Sequence, residues 1–233
     1  MEHTTKTSLL TDPRAAYHDA ETPGWLRELR EAGATAAATL GLPTPKLESW
    51  RFTDLRAVED INFTPAGSRS VEISRDALAP FVIEDLEVAR AVFVDGVFSD
   101  VLSDLAGMDP ARVMLLSDAI REFEDELRDR LGSLMRAPED GLEALNQSRM
   151  DDGIVVVVPD GATIERPLEV LCVSTGEGEP VAWHPRHVVI AGKGSQVRVL
   201  EHSVSLTDDA VSLTNSVTEV FADEDAKVEH YFL

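Results

Sequence analysis

Residues 187–204 read HVVIAGKGSQVRVLEHSV. Two runs rich in β-branched residues, HVVIA (187–191) and SQVRVLEHSV (195–204), flank a Gly-Lys-Gly turn, and no helical spacing links them. The turn has counterparts on both sides. Gly194-Ser195-Gln196-Val197 shares its pattern with Gly161-Ala162-Thr163-Ile164 and Asp225-Ala226-Lys227-Val228: a turn residue, a small residue, a polar residue, a β-branched one. The three starts lie 33 and 31 residues apart. Strand–turn units repeated at such a period can stack as a β-helix, each burying its inward face on the next. A sandwich or jelly roll accommodates the same strands, and periodicity alone leaves these architectures open.

Working outward, IVVVV (154–158), PLEVLCV (167–173), VSLTNSVTEVF (211–221) and AKVEHYF (226–232) are also β-rich, and PDG, TGEGEP, LTDD and ADED separate them. Tyr231-Phe232-Leu233 reads as mid-strand. Such an array is expected to present an apolar end and an unpaired edge, as in a fragment or in an array completed by another subunit.

The first 150 residues read differently. Trp25, Leu26, Leu29, Ala36 and Leu40 recur at near-helical spacing, with Thr22-Pro23 as a start and Gly41 as a stop. Asp95-Gly96 between the apolar triplets of VFVDGVF (92–98) predicts a two-residue hairpin, and Val113–Leu116 a short strand. Ile120, Phe123, Leu127, Leu131 and Leu134 form one stripe, predicting a helix from about Asp118 to Met135 with Ser117 as its cap. A second helix is expected from about Glu139 to Gln147, and Thr53 as the cap of a short turn in TDLRAVED. The fold class is thus α+β moving to mostly β: an α-rich region with a small hairpin over 1–150, then a β core beginning at 151–233.

Composition excludes several functions. The chain has 233 residues and one cysteine, Cys172, so it holds no internal disulfide. Its 43 acids against 21 basic residues give a net charge of −22, which disfavours nucleic acid and anionic lipid. The acids read as a solvated surface of the kind a salt-adapted host uses, with a basic partner as the sharper alternative. No run of eighteen apolar residues spans a membrane. MEHTTKTSLLTDPRAAYHD (1–19) lacks the basic start and apolar stretch of a secretory signal, so a cytoplasmic setting is expected.

No catalytic, cofactor-binding or metal-binding residue is assigned. His184 and His187 of HPRH sit at a loop-to-strand step, where their spacing does not bring them to one side. Glu201-His202 and Glu229-His230 are strand neighbours that face opposite ways. Cys172, in LEVLCV, reads as a buried, inert thiol. Gly192-Lys193-Gly194-Ser195 leads into a strand rather than a helix, so it reads as a β-turn, not a phosphate loop. In LPTPKLESWRFTDL (42–55) the prolines stiffen a connector, Trp50 and Phe52 are expected to be buried around an outward Arg51, and Lys46 to pair weakly with Glu48. The connector is expected to clamp the N-terminal helices onto the β region.

This connector resembles the "LPT-x-K-x-E-x-W-[KR]-[FY]-T" segment of SufD proteins, in the SufB/SufD family of the SUF iron–sulfur assembly system, through Leu42, Pro43, Thr44, Lys46, Glu48, Trp50, Arg51, Phe52 and Thr53. Residues 144–176 resemble the family's next block through Leu145, Asn146, Asp152, Gly153, Val158, Pro159, Gly161, Ile164 and Pro167, with Gln147 or Ser148 replacing its alanine. Residues 184–205 and 213–233 resemble the following segments. The tryptophan motif and short N-terminal region favour SufD over SufB. The resemblance implies a helical region followed by the first coils of a right-handed parallel β-helix. It also implies a non-catalytic scaffold that pairs edge-on with a SufB-like paralogue and contacts a SufC-like ATPase. Iron–sulfur cluster and ATP enter only at the level of the complex, and no cofactor is expected on this chain. The family's interface cysteine and histidine lie in the later β-helix, so no functional residue carries over. A carbohydrate-active β-helix enzyme of the secreted type is the rival; it would need several carboxylates converging on one face, often with calcium. A generic β-helix interaction module is the third reading.

Overall fold

A computed structural model describes residues 22–67, 71–135 and 137–233; the stretch read above for a secretory signal lies outside the described residues. Helix α1 (Gly24–Leu40) starts after Pro23 and stops at Gly41, whose φ of 66° is left-handed. After a single 3₁₀ turn at Glu48–Trp50 come α2 (Arg56–Glu59) and β1 (Thr64–Pro65). Strands β2 (Ala89–Val94) and β3 (Val97–Phe98) form the predicted hairpin; Asp95 and Gly96 both take positive φ, as a two-residue turn requires. Then follow β4 (Arg112–Leu115), α3 (Leu116–Glu122), α4 (Glu124–Arg128) and α5 (Gly141–Arg149). Asp140 caps α5, accepting from the Leu142 and Glu143 amides.

The remaining strands are β5 (Ile154–Val158), β6 (Leu168–Ser174), β7 (Val181–Trp183), β8 (Arg186–Ala191), β9 (Gln196–Ser205), β10 (Ser212–Thr214), β11 (Val217–Ala222) and β12 (Lys227–Phe232). They fall into three sheets, ordered β1-β7-β10, β11-β8-β5-β4 and β12-β9-β6-β2-β3. From β5 onward the chain visits the sheets in a fixed rotation, and each strand pairs in parallel with the strand three elements on. Val155 lies beside Val188, a step of 33 residues, and Val188 beside Glu219, a step of 31. Leu168 lies beside Val199, Val181 beside Ser212, and Gln196 beside Lys227, each a step of 31.

The recurrence seen in the sequence is therefore a spatial stack: Thr163 bridges Gln196, which pairs with Lys227. Gly161, Gly194 and Asp225 turn the chain into it with φ of 68°, 65° and 60°. Aspartate tolerates this region better than most residues with a side chain, which explains its place at the third corner.

The main core draws on all three sheets, including Phe93, Leu168, Val170, Ile154, Val156, Val189, Val199 and Trp183. The run IVVVV lacks alternation because both of its faces pack against apolar neighbours, with Val157 alone partly open. Ile154 and Val156 enter this core, while Val155 joins Leu26, Leu116, Leu127 and Leu131 beneath α1, α3 and α4. Helices α1 and α5 meet across Gly33, where a Cβ would lie 2.7 Å from the Ser148 amide nitrogen.

The structure corrects five expectations. The helix over 118–135 is broken: Phe123 leaves helical geometry at φ −135°, ψ 30°, separating α3 from α4, and Gly132 turns the chain at φ 76°. Leu127 and Leu131 stay buried, but Leu134 is 60% exposed. Ser117 caps nothing; its amide and hydroxyl donate to Asp152 at 3.1 and 2.9 Å. Thr53 is not a cap either, since Leu55 holds the cap position of α2 and Asp54 accepts the Arg56 amide. In the connector the 3₁₀ turn replaces strand alternation, so Phe52 is 90% exposed with Arg51 stacked 4.5 Å from its ring centre. Glu48 accepts from Arg51 at 3.0 Å, the ion pair formed in place of the one expected with Lys46. Trp50 does anchor the connector: its indole N–H donates to Asp140, the α5 cap, at 2.9 Å.

Candidate functional site

The chemically distinctive groups lie in three polar clusters between stacked strands. The first joins α5 to two successive corners. Asn146, fully buried, donates to the Pro185 and Asn215 carbonyls at 2.8 and 2.7 Å and accepts from Arg186 at 2.9 Å. Arg186, also fully buried, donates through Nε and Nη2 to one oxygen of Glu219. Glu219 further accepts the Gly132 and Leu134 amides at 2.7 and 3.3 Å, so one carboxylate ties β8, β11 and the turn after α4 together. Burial pulls the Arg186 guanidinium down from its ordinary value, and Glu219 opposes the shift.

The second cluster faces the main core. Glu201 accepts from Ser216 at 2.8 Å, from His230 Nε2 at 2.8 Å and from the Thr218 hydroxyl. His187 accepts the Ile154 amide on Nδ1, so its proton sits on Nε2, 4.0 Å from Glu201. Burial would raise Glu201, but His230, His187, Thr218 and Ser216 outweigh it and hold the carboxyl down to about 2. Burial pushes His187 down, against the pull of Glu201. The third cluster lies on the opposite face of the same sheet: Glu169, fully buried, pairs with Arg90 and with His202 Nδ1 at 2.9 Å.

Glu201 and His202 thus face opposite ways, as expected for strand neighbours, yet each finds a partner in another strand. Adjacent residues of one strand do not disclose these pairs. The signal was present: the recurrence interval of 33 leads from Glu169 to His202 and from Arg186 to Glu219.

His184 and His187 are both buried and apart in function. His184 packs against Asn215, and burial, helped by Arg149, drives it down to about 3, so it stays neutral. Asp151, which accepts the His184 amide, is pushed up to about 6 chiefly by burial. Cys172 is buried, and both burial and the Glu201 charge keep its thiol protonated. The 192–195 segment is a turn whose Lys193 amide donates to the Asp160 carboxylate, an arrangement opposite in sign to a phosphate cradle. Among the described residues, no three His, Cys, Asp or Glu side chains are disposed to hold a metal ion, and no helix is long and apolar enough to cross a membrane. What the clusters supply chemically is fixed charge and fixed register: Glu219, Glu201 and Glu169 are each held by partners from neighbouring strands.

Comparison with known proteins gives this geometry a family. Residues 2–170 match the model of the SufBD protein N-terminal region, and residues 172–233 that of the SUF system FeS cluster assembly SufBD core domain. The chain belongs to the SufBD family. An iron–sulfur cluster assembly SufBD family protein of Synechocystis is 27% identical over 211 residues, covering 86% of this chain and 46% of the relative. The iron–sulfur cluster assembly protein SufD of Escherichia coli is 30% identical over 170 residues, covering 72% and 37%. Protein ABCI7, chloroplastic, of Arabidopsis thaliana is 26% identical over 221 residues, covering 89% and 44%. The chain spans less than half the length of these relatives.

Proposed function

We propose that this SufBD protein is a SufD-like, non-catalytic scaffold subunit of a SUF iron–sulfur assembly complex. It pairs edge to edge with a SufB-like paralogue and engages a SufC-like ATPase, with cluster and ATP handled by the complex rather than by this chain. The observation that carries the reading is the family assignment across nearly the whole chain. The strand array supports it. We read the rotation through three sheets at 31–33-residue steps as the opening coils of a parallel β-helix, and right-handed by the general rule for parallel crossovers. Strands β10, β11 and β12 lie at sheet edges among the described residues and offer a row of backbone donors and acceptors suited to strand pairing. The protected, strand-locked state of the Glu–His pairs supports a structural use over acid–base turnover.

The test is co-expression of the tagged full-length protein with the SufB-like and SufC-like proteins of its host, followed by affinity purification and light scattering. A complex containing both is expected; recovery of the protein alone under these conditions overturns the proposal.

A further inference from the structure

Along the outer face of the β11-β8-β5-β4 sheet runs an open groove of about 530 Å³, within the size range of ligand and peptide sites. Its floor is a ladder of Val157, Ile190 and Phe221, one from each of three paired strands and none fully buried. Phe123, at the break between α3 and α4, makes one wall together with Glu126 and Arg130, which follow the break. Among the described residues the lining carries the carboxylates of Glu126, Asp160 and Asp223 and the guanidinium of Arg130, and Arg112 stacks on the wall residue Phe123, 5.3 Å from its ring centre.

We propose that this groove docks an amphipathic helix of a basic partner protein, apolar residues against the ladder and lysine or arginine toward the rim. Two strand spacings put Val157 and Phe221 about 10 Å apart. Residues i and i+7 of an α-helix are separated by about the same distance along its axis, so apolar side chains at i, i+3 or i+4, and i+7 match the three rungs. Charge selects the occupant. A second copy of this chain carries a net charge of −22, and residues 1–21 hold Glu2, Asp12, Asp19 and Glu21 against Lys6 and Arg14, so both are repelled by the rim. A cationic segment is attracted locally and by the whole chain. The third rung, Phe221, lies on β11, whose free edge is proposed above for strand pairing; the groove uses that strand's side-chain face and leaves its backbone edge open.

The experiment titrates the isotopically labelled, full-length protein with a synthetic leucine–lysine peptide of about 14 residues, long enough to form a helix on binding. A scrambled peptide of the same composition serves as control, and amide shifts are followed at about 0.15 M and about 0.5 M salt. Expected are perturbations concentrated at Val157, Ile190, Phe221 and Phe123, and binding roughly tenfold weaker for the scrambled peptide. Phe221→Ser should weaken binding roughly tenfold, and the Glu126→Gln/Asp223→Asn pair severalfold with a shallower salt dependence. Should either variant fail to fold, the wild-type map decides alone. Perturbations spread over the acidic surface, equal binding of the scrambled peptide, or no binding overturn the proposal.

Discussion

Arg186 and Glu219, 33 residues apart, meet in the fully covered space between β8 and the turn that follows α4, the guanidinium giving two hydrogen bonds of 3.0 and 2.7 Å to one carboxylate oxygen. The pair also holds Asn146 and the Gly132 amide, so it joins the strand array to two separate parts of the helical region. A buried pair of this kind need not outperform an apolar one, but losing one member strands a charge. Glu219→Ala should therefore cost about 3–5 kcal/mol, measured as a fall in the urea midpoint. A loss under about 1 kcal/mol would mean that solvent reaches Arg186 in solution.

Glu201 predicts the acid limb of the stability curve. Its folded pKa of about 2 lies below the ordinary 4.5, so its contribution is complete above pH 4.5 and is lost as pH falls from there toward 2. The shift corresponds to something on the order of 3 kcal/mol. His184, held neutral with a folded pKa of about 3 against 6.5, acts in the same direction from about pH 6.5 downward, because only the unfolded chain can take up the proton. Glu201→Gln should be less stable than the parent at pH 7, and the gap should close between pH 4.5 and 2. Urea titrations across that range check this; a gap that does not vary with pH refutes it.

The contact of α1 with α5 sets helix propensity against space. Gly33→Ala gains about 1 kcal/mol of propensity in a helix interior. The added methyl meets the backbone of α5 at 2.7–3.0 Å, atoms that cannot step aside alone. Overpacking of this kind costs about 1–3 kcal/mol, so the net change should be destabilising. Thermal denaturation decides the sign.

The two aromatics of the connector should behave differently despite their proximity. Trp50→Phe removes the hydrogen bond to Asp140 and should cost about 1 kcal/mol. Phe52→Ser removes a ring that is already in water and should change stability by less than about 0.5 kcal/mol. Equal losses at both positions would contradict the arrangement described.

Cys172 should resist a thiol reagent in the native protein and react promptly once denaturant opens the core, since burial and the neighbouring Glu201 both oppose the thiolate. Rapid native labelling would place the thiol in solvent instead.

What could be read in the sequence was whatever local chemistry decides. The hairpin at Asp95-Gly96 and the corners at Gly161, Gly194 and Asp225 need left-handed backbone, and the residues there advertise it. What escaped depends on distant neighbours. Phe123 continues an unbroken apolar stripe, and nothing local says that the helix must bend there to seat Leu127 and Leu131 under α1. Phe52 resembles a core residue by type alone. VSLTNSVTEVF looks like one strand but turns at Asn215-Ser216, where Asn146 holds the corner from a helix some 69 residues earlier. Strand β7, three residues long, has too little pattern to announce itself. The Glu169–His202 and Arg186–Glu219 pairs follow from carrying the spacing of the first two corners over to the charged side chains, whereas Glu201–His230 and Arg90–Glu169 fall outside that spacing.

The constant step of 31 residues after the first corner, two shorter than the step before it, carries a rule about tolerated indels. The two surplus residues fall between Thr163 and Leu168, where Thr163 still pairs at an interval of 33 and Leu168 already at 31, so they are absorbed as a local bulge in that connection before β6 begins. The corner at Gly192 has no such slack, its Cα hydrogen facing Asp160 and the Val158 carbonyl. A single residue gained or lost there would be read through every strand downstream, turning apolar faces out and charged ones in. Drift in chain length is therefore confined to a few lateral bulges, while the corners keep count for the whole stack.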